Sequence, residues 1–185
     1  MIKLGIVAAA VGAVLVGAAV PAAAAPAALP SYEQWQADVK KVIDPAIPWL
    51  QSRVAQGGSK LAIVLDIDNT SLETHYHFGA ANKPVLAVTQ WAHSHGVSVL
   101  FATARPDILP SITRWQLTNA GYTVDGLCLG KLGDSGPAAT KQRCRKEYTD
   151  SGYTITENIG NRPTDMAGGN YEKGFQLPDY DGQLS

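Results

Sequence analysis

The chain has 185 residues, and its 15 Lys+Arg against 16 Asp+Glu leave a formal net charge of −1. A balance this close to neutral gives no basic field to attract nucleic acid, so nucleic-acid binding is not expected. The length suits a single α/β domain with one core once the atypical start of the chain is set aside.

That start is Met1-Ile2-Lys3, then an almost wholly apolar run over 4–20, then Pro21-Ala22-Ala23-Ala24-Ala25 with its A-x-A cleavage signals. It reads as a secretory signal peptide over 1–25, followed by a mature domain over 26–185. The expected location is secreted, with no membrane association after cleavage. An uncleaved anchor fits less well, because small residues follow the apolar run in place of a basic flank. No Cys follows either, which disfavours lipid anchoring. The two cysteines, Cys128 and Cys144, suit a disulfide in an exported protein, but spacing alone does not place them together.

Ser31-Tyr32-Glu33-Gln34 has the form of a capping box and predicts a helix to about Ile43. Pro45 and Pro48 interrupt it, and a second short helix through Trp49, Leu50 and Val54 should end at Gly57-Gly58. Leu61-Ala62-Ile63-Val64-Leu65 fits a strand buried on both faces, as in a parallel sheet covered by helices. A polar and aromatic loop over 71–79 follows. Pro84 then opens a helix with Val85, Val88 and Trp91 or Ala92 on its apolar face, closed by Gly96. The second strand is read at 97–102. The next helix spans 110–120, with Ile112, Trp115 and Leu117 as its buried set. A third strand at 124–129, a Gly-rich loop, a basic helix from Ala138 to about Tyr148 and a fourth strand at 153–159 complete the pattern. Alternating strands and helices predict a three-layer α/β sandwich, with ligands bound beyond the carboxyl ends of its strands.

The first buried strand runs into Asp66, Asp68 and Thr70, polar residues at alternate positions. Two carboxylates this close repel each other unless a cation or a shared proton compensates, so the pair points to divalent metal or proton-transfer chemistry. An EF-hand loop does not fit, because Ser71 and His77 stand where its Gly and Glu are required. Other strand ends carry Thr103-Ala104-Arg105 and Gly160-Asn161-Arg162-Pro163-Thr164-Asp165.

Asp66-Ile67-Asp68-Asn69-Thr70 resembles the D-x-D-x-[TV] motif of the haloacid dehalogenase (HAD) superfamily. Within it the chain is most similar to the branch of class B and class C bacterial acid phosphatases, plant acid phosphatases and vegetative storage proteins. Thr103 with Arg105 resembles that branch's T-x-R, and Lys141 with Arg145 its Y-K-s-x-x-R; Lys131 competes with Lys141. Residues 173–180 resemble its F-K-L-P-N ending, so the resemblance covers about 60–180.

The resemblance implies a Rossmann-like HAD sheet and a phosphomonoesterase acting through an aspartyl-phosphate. Asp66 is then the nucleophile, Asp68 the acid and base, and Thr103 and Lys141 the phosphate-binding groups, with Thr70 and Arg105 in support. The metal is Mg2+, held by Asp66, Asp68 through its carbonyl, Asp165 and Asn161. Asn161 departs from the family's G-D-x-x-x-D, which removes one negative charge from the metal set. A scaffold with little turnover, serving as a binding or storage protein, is the alternative. About 30 residues between Thr70 and Thr103 leave little room for a cap domain. The expected site is therefore open, and its substrates small phosphomonoesters, bulky ones included. Sequence does not set the oligomeric state. The pairs His75/His77 and His93/His95 suggest zinc only weakly, since 93 and 95 fall on different helix faces.

Overall fold

The computed structural model describes Met1 and residues 28–108 and 110–184. The expected signal peptide and its cleavage site lie outside these residues. No helix among the described residues is long and apolar enough to cross a membrane.

A five-stranded parallel sheet in the order β5-β4-β1-β6-β7 forms the middle layer. Its strands are β1 (Leu61–Leu65), β4 (Ser98–Pro106), β5 (Gly126–Gly130), β6 (Thr154–Gly160) and β7 (Lys173–Gln176). All five residues of β1 are buried. Ile63 and Leu65 join the larger core with Val99 and Phe101, while Ala62 and Val64 join the smaller one with Leu100 and Ala102. Alternation across the pleat thus divides one continuous apolar strand between two helical layers. One layer holds α1 (Tyr32–Ile43), α2 (Ala46–Ala55), α3 (Lys83–Ser94) and α4 (Pro110–Asn119); the other holds α5 (Pro137–Asp150) and the single turn α6 (Pro163–Met166).

Several expectations need revision. The break between the first two helices falls at Asp44 and Pro45, and Pro48 sits inside the first turn of α2, where the missing N–H costs no helical bond. The stretch read as loop contains β2 (Leu72–Glu73), paired antiparallel with β3 (Ala80–Ala81). These short strands and α3 are all that separates β1 from β4, so no cap domain stands over the sheet. The terminal segment likened to a family ending supplies a fifth strand, β7, beside β6. On α3 it is Ala92, not Trp91, that is buried. The larger correction is α4. Its buried residues are Thr113 and Leu117, while Ile112 and Trp115 are 49% and 63% exposed. Apolar periodicity misidentifies the inward face because Thr113, one turn before Leu117, does the packing.

Cys128 on β5 and Cys144 on α5 form a disulfide, with Cα atoms 5.6 Å apart. It closes a loop of 16 residues, a constraint on the unfolded chain of about 3 kcal/mol in the chain-entropy model. It also fastens the helix that carries Lys141 to the edge of the sheet.

A register shift between β1 and β6 pairs Ala62 with Ile155 but Ile63 with Glu157. Thr156 is the extra residue, and its hydroxyl donates to the Ala62 carbonyl at 3.0 Å. Glu157 is fully buried, and neither carboxyl oxygen has a hydrogen-bond partner. Burial pushes its carboxyl up to about 9 from an ordinary 4.5. Between those values only the folded state holds the proton, so stability falls as pH rises through the window. We predict that Glu157→Gln is near neutral at pH 5 and stabilising by more than about 1 kcal/mol at pH 8. Urea unfolding at the two pH values checks this; equal effects at both would rule it out.

Candidate active site

The carboxyl ends of β1, β4 and β6 and the first turns of α5 converge on a cavity of about 310 Å³. Asp66, Asp68, Thr103, Arg105, Lys141 and Asn161 line it. At its floor Lys141 sits between two carboxylates: Nζ lies 3.0 Å from Asp66 Oδ1 and forms an ion pair with Asp165 Oδ1. All three side chains are nearly inaccessible to solvent. Lys131, the competing lysine, is on the surface and pairs with Glu147 at 3.0 Å.

Each group is held by its own local device. Asp66 ends β1; its backbone N–H donates to the Ile159 carbonyl on β6, and its carbonyl accepts from Ser71 Oγ at 2.6 Å. Asn69 takes the left-handed conformation (φ 51°) that turns the chain back, and its side chain accepts from the His75 N–H at 2.8 Å. Asp165 reaches Lys141 because residue 160 is glycine: a Cβ there would lie 2.3 Å from Asp165 Cγ. Asp165 Oδ2 accepts from the Arg162 N–H at 2.8 Å, which fixes the rotamer. One turn after Lys141, the buried Arg145 donates to the carbonyls of Asp165 (2.6 Å), Ala167 and Gly169 (2.8 Å). One face of α5 therefore carries both the ammonium and the clamp that holds the facing carboxylate.

Asp68 is gripped by Arg105, whose Nε and Nη2 reach Oδ2 and Oδ1 at 2.8 and 2.7 Å, and it also accepts from Thr74 at 2.8 Å. Gln116 on α4 orients the guanidinium from behind at 2.7 Å. Burial works against the charged form of Asp68, but the Arg105 bonds outweigh it and hold the carboxyl below its ordinary value. The Thr103 hydroxyl accepts from the Arg105 N–H at 3.2 Å, which leaves its own proton for a ligand in the cavity. Thr70 is fully buried behind the acidic pair. It accepts from the Asn161 N–H at 3.0 Å and donates to Asn161 Oδ1 at 3.3 Å. The Asn161 amide in turn donates to the Leu184 carbonyl at 2.6 Å, tying the end of the described chain to the site.

The balance of charge at the floor is incomplete. Burial first, and then the Asp165 charge, push Asp66 upward, although Lys141 opposes them. Burial alone would lower Lys141, but the two carboxylates hold it above its ordinary value. Two carboxylates on one ammonium leave a negative excess, which fits a bound cation. Among the described residues no group of three or more His, Cys, Asp or Glu is placed to hold a metal. Asp66 and Asp165 supply the carboxylates. The Asp68 carboxylate is committed to Arg105, and both ends of the Asn161 amide are already engaged. Mg2+, which keeps several of its waters and binds through one or two carboxylates, suits such a sparse set.

The histidines stand apart from the cavity. His77 pairs with Glu73 at 2.8 Å and packs edge-on against Tyr32, and His95 stacks on Trp91. Sequence reasoning did not single out Arg162 and Thr164, which line the mouth, or Gln116 and Thr74, which hold the Asp68–Arg105 pair. The first two lie between the recognised Gly160 and Asp165. The other two carry no local signal.

The family model for the HAD superfamily, subfamily IIIB (acid phosphatase), matches the chain over residues 7–83 and 79–183. The chain belongs to this family. Its membership makes it an acid phosphatase of the HAD superfamily, a phosphomonoester hydrolase, in a family that generally uses a divalent metal. The match begins inside the apolar stretch read as a signal peptide. Among solved structures, the class C acid phosphatase from Bacillus anthracis is similar, with a TM-score of 0.65 and 18% identity over 82% of this chain and 83% of that one. The same enzyme with tungstate bound matches over the same shares with a TM-score of 0.65 and 17% identity. At such identity the likeness establishes the phosphatase fold and no more. No curated protein matches the chain.

Two expected outcomes test the construction of the site. Gly160→Ala drives Asp165 off Lys141, so phosphatase activity should fall at least tenfold with the fold retained by circular dichroism. Asn161→Asp restores the acidic residue of the motif that this segment resembles, but removes the donor to the Leu184 carbonyl and sets a carboxylate against it. A loss of about 1–3 kcal/mol is expected, seen as a lower melting temperature in the absence of metal.

Proposed function

We propose that the protein is an exported, Mg2+-dependent phosphatase that hydrolyses small phosphomonoesters through a covalent intermediate on Asp66. The observation that carries this reading is the placement of Asp66 at the cavity floor, beside an ammonium and a free hydroxyl proton and within the same cavity as a second carboxylate. Export is supported by the apolar start of the chain and by the disulfide, which suits an oxidising compartment.

In the first step an Asp66 carboxylate oxygen attacks phosphorus, the bond to the ester oxygen breaks, and the departing alkoxide takes a proton from Asp68, which exchanges its Arg105 partner for that proton as the phosphate enters and draws the guanidinium to itself. In the second, Asp68 takes a proton from water as that water attacks phosphorus, and the Asp66–phosphorus bond breaks to release phosphate. Thr103 and Lys141 bind the phosphoryl oxygens. Arg105 keeps Asp68 oriented, and Thr70, braced by Asn161, keeps the turn between the two aspartates in place. Bound Mg2+ would be held by Asp66 and Asp165 with the Asp68 carbonyl, and it supplies positive charge beside the phosphoryl group.

Asn161 favours a second reading, a binding or storage protein with little turnover, which would retain inorganic phosphate stoichiometrically while hydrolysing esters near the background rate. The purified mature protein is tested on p-nitrophenyl phosphate with Mg2+ and with a chelator. Activity should depend on the metal and fall at least about a thousandfold in Asp66→Asn. Unchanged activity in that variant would overturn the nucleophile assignment. Mg2+ should also raise the melting temperature of the wild type, but not that of Asp165→Asn.

A further inference from the structure

Beside the catalytic mouth lies a second cavity of about 500 Å³, formed between the end of β4 and the loop that leads from β5 into α5. It shares Ala104 and Pro137 with the first, so the two are adjacent. We propose that it is the leaving-group subsite of the phosphatase read above, and that it selects phosphomonoesters of an apolar alcohol, alkyl or aryl, with no second anionic group.

The walls argue for the apolar body. Ile108 and Leu132 both line this cavity, and they are 75% and 108% exposed, large side chains left in water where a ligand could cover them. Apolar surface displayed at a cavity, not scattered singly, marks a binding site. Pro106 adds to the same wall. Gly130 also lines it, and a Cβ there would meet the Ala104 carbonyl oxygen at 3.0 Å, so glycine lets β5 approach β4 closely at this edge.

The charges argue against a second anion. Lys131, the cavity's cation, is paired with Glu147 at 3.0 Å. Asp134 is held by Arg143 through both carboxylate oxygens, at 2.9 and 2.8 Å, and also accepts from Thr140. Each of these charges is satisfied within the protein. What remains is the exposed Asp107 carboxylate, which repels a second phosphate or carboxylate on the substrate. Among the described residues that line it, a polyphosphorylated leaving group meets no unpaired cation, whereas an uncharged chain meets two large apolar side chains.

The test compares kcat/KM for ethyl, butyl and hexyl phosphate and for 1,6-hexanediol bisphosphate, using the metal-loaded wild type. The expected result is a two- to fourfold rise per methylene and at least a tenfold penalty for the bisphosphate relative to hexyl phosphate. The double variant Ile108→Ser/Leu132→Ser should flatten the ladder while leaving ethyl phosphate within about twofold of wild type. Asp107→Asn should recover part of the bisphosphate rate. Equal rates along the ladder, with ethyl phosphate still hydrolysed, overturn the subsite and leave the phosphatase standing. Hydrolysis of none of the esters, p-nitrophenyl phosphate included, overturns both.

Discussion

A single ammonium shared by two buried carboxylates is the constraint around which the molecule is arranged. Lys141 is excluded from water, and an unpaired charge there would be too costly to keep. Asp66 and Asp165 must therefore meet it, although one follows β1 and the other lies on α6. Much of the surrounding detail serves that meeting. Gly160 clears the space Asp165 occupies, Arg145 pins the carbonyls of α6 and of the residues just after it, and the disulfide holds α5 against β5. Buried ion pairs add little to net stability. This one is better understood as geometry maintained for phosphoryl chemistry, with its excess negative charge kept for a cation.

A second network, lying toward the mouth, has a different character. Asp68 and Arg105 are partly exposed, and Gln116 and Thr74 brace them through single hydrogen bonds. A guanidinium in this position suits a phosphate as well as a carboxylate. The floor is thus rigid and the mouth adjustable, as expected where one end of a substrate is always the same and the other varies.

Much of this architecture can be read from the residues alone. The unbroken apolar run of β1 ending in two aspartates locates the sheet and the chemistry, because it joins a strand buried on both faces to carboxylates at its end. Asp66, Thr103, Lys141 and Asp165 gather where strand ends converge in such a sheet. The inward face of α4 was not legible: Thr113 is the less hydrophobic choice, and only the packing against β5 and the need to bring Gln116 to Arg105 decide the rotation of the helix. Nor was the use of Asn161. As a sequence symbol it is a lost carboxylate, whereas in the fold it is a donor and an acceptor joining Thr70 to Leu184, a contact between segments far apart in the chain. The short β2–β3 pair was hidden for a similar reason, since two-residue strands carry no periodicity.

The Asn161 bridge also has a temporal side. Thr70 and Asn161 are separated by 91 positions, and Leu184 lies 23 further on. During synthesis the aspartate turn emerges long before its brace exists, and contacts of such long range form late and slowly. Until then the acidic pair is a half-built, self-repelling loop. Hydrolytic competence therefore depends on contacts between segments that lie far apart in the chain, and the last of them waits for the chain's end to be made.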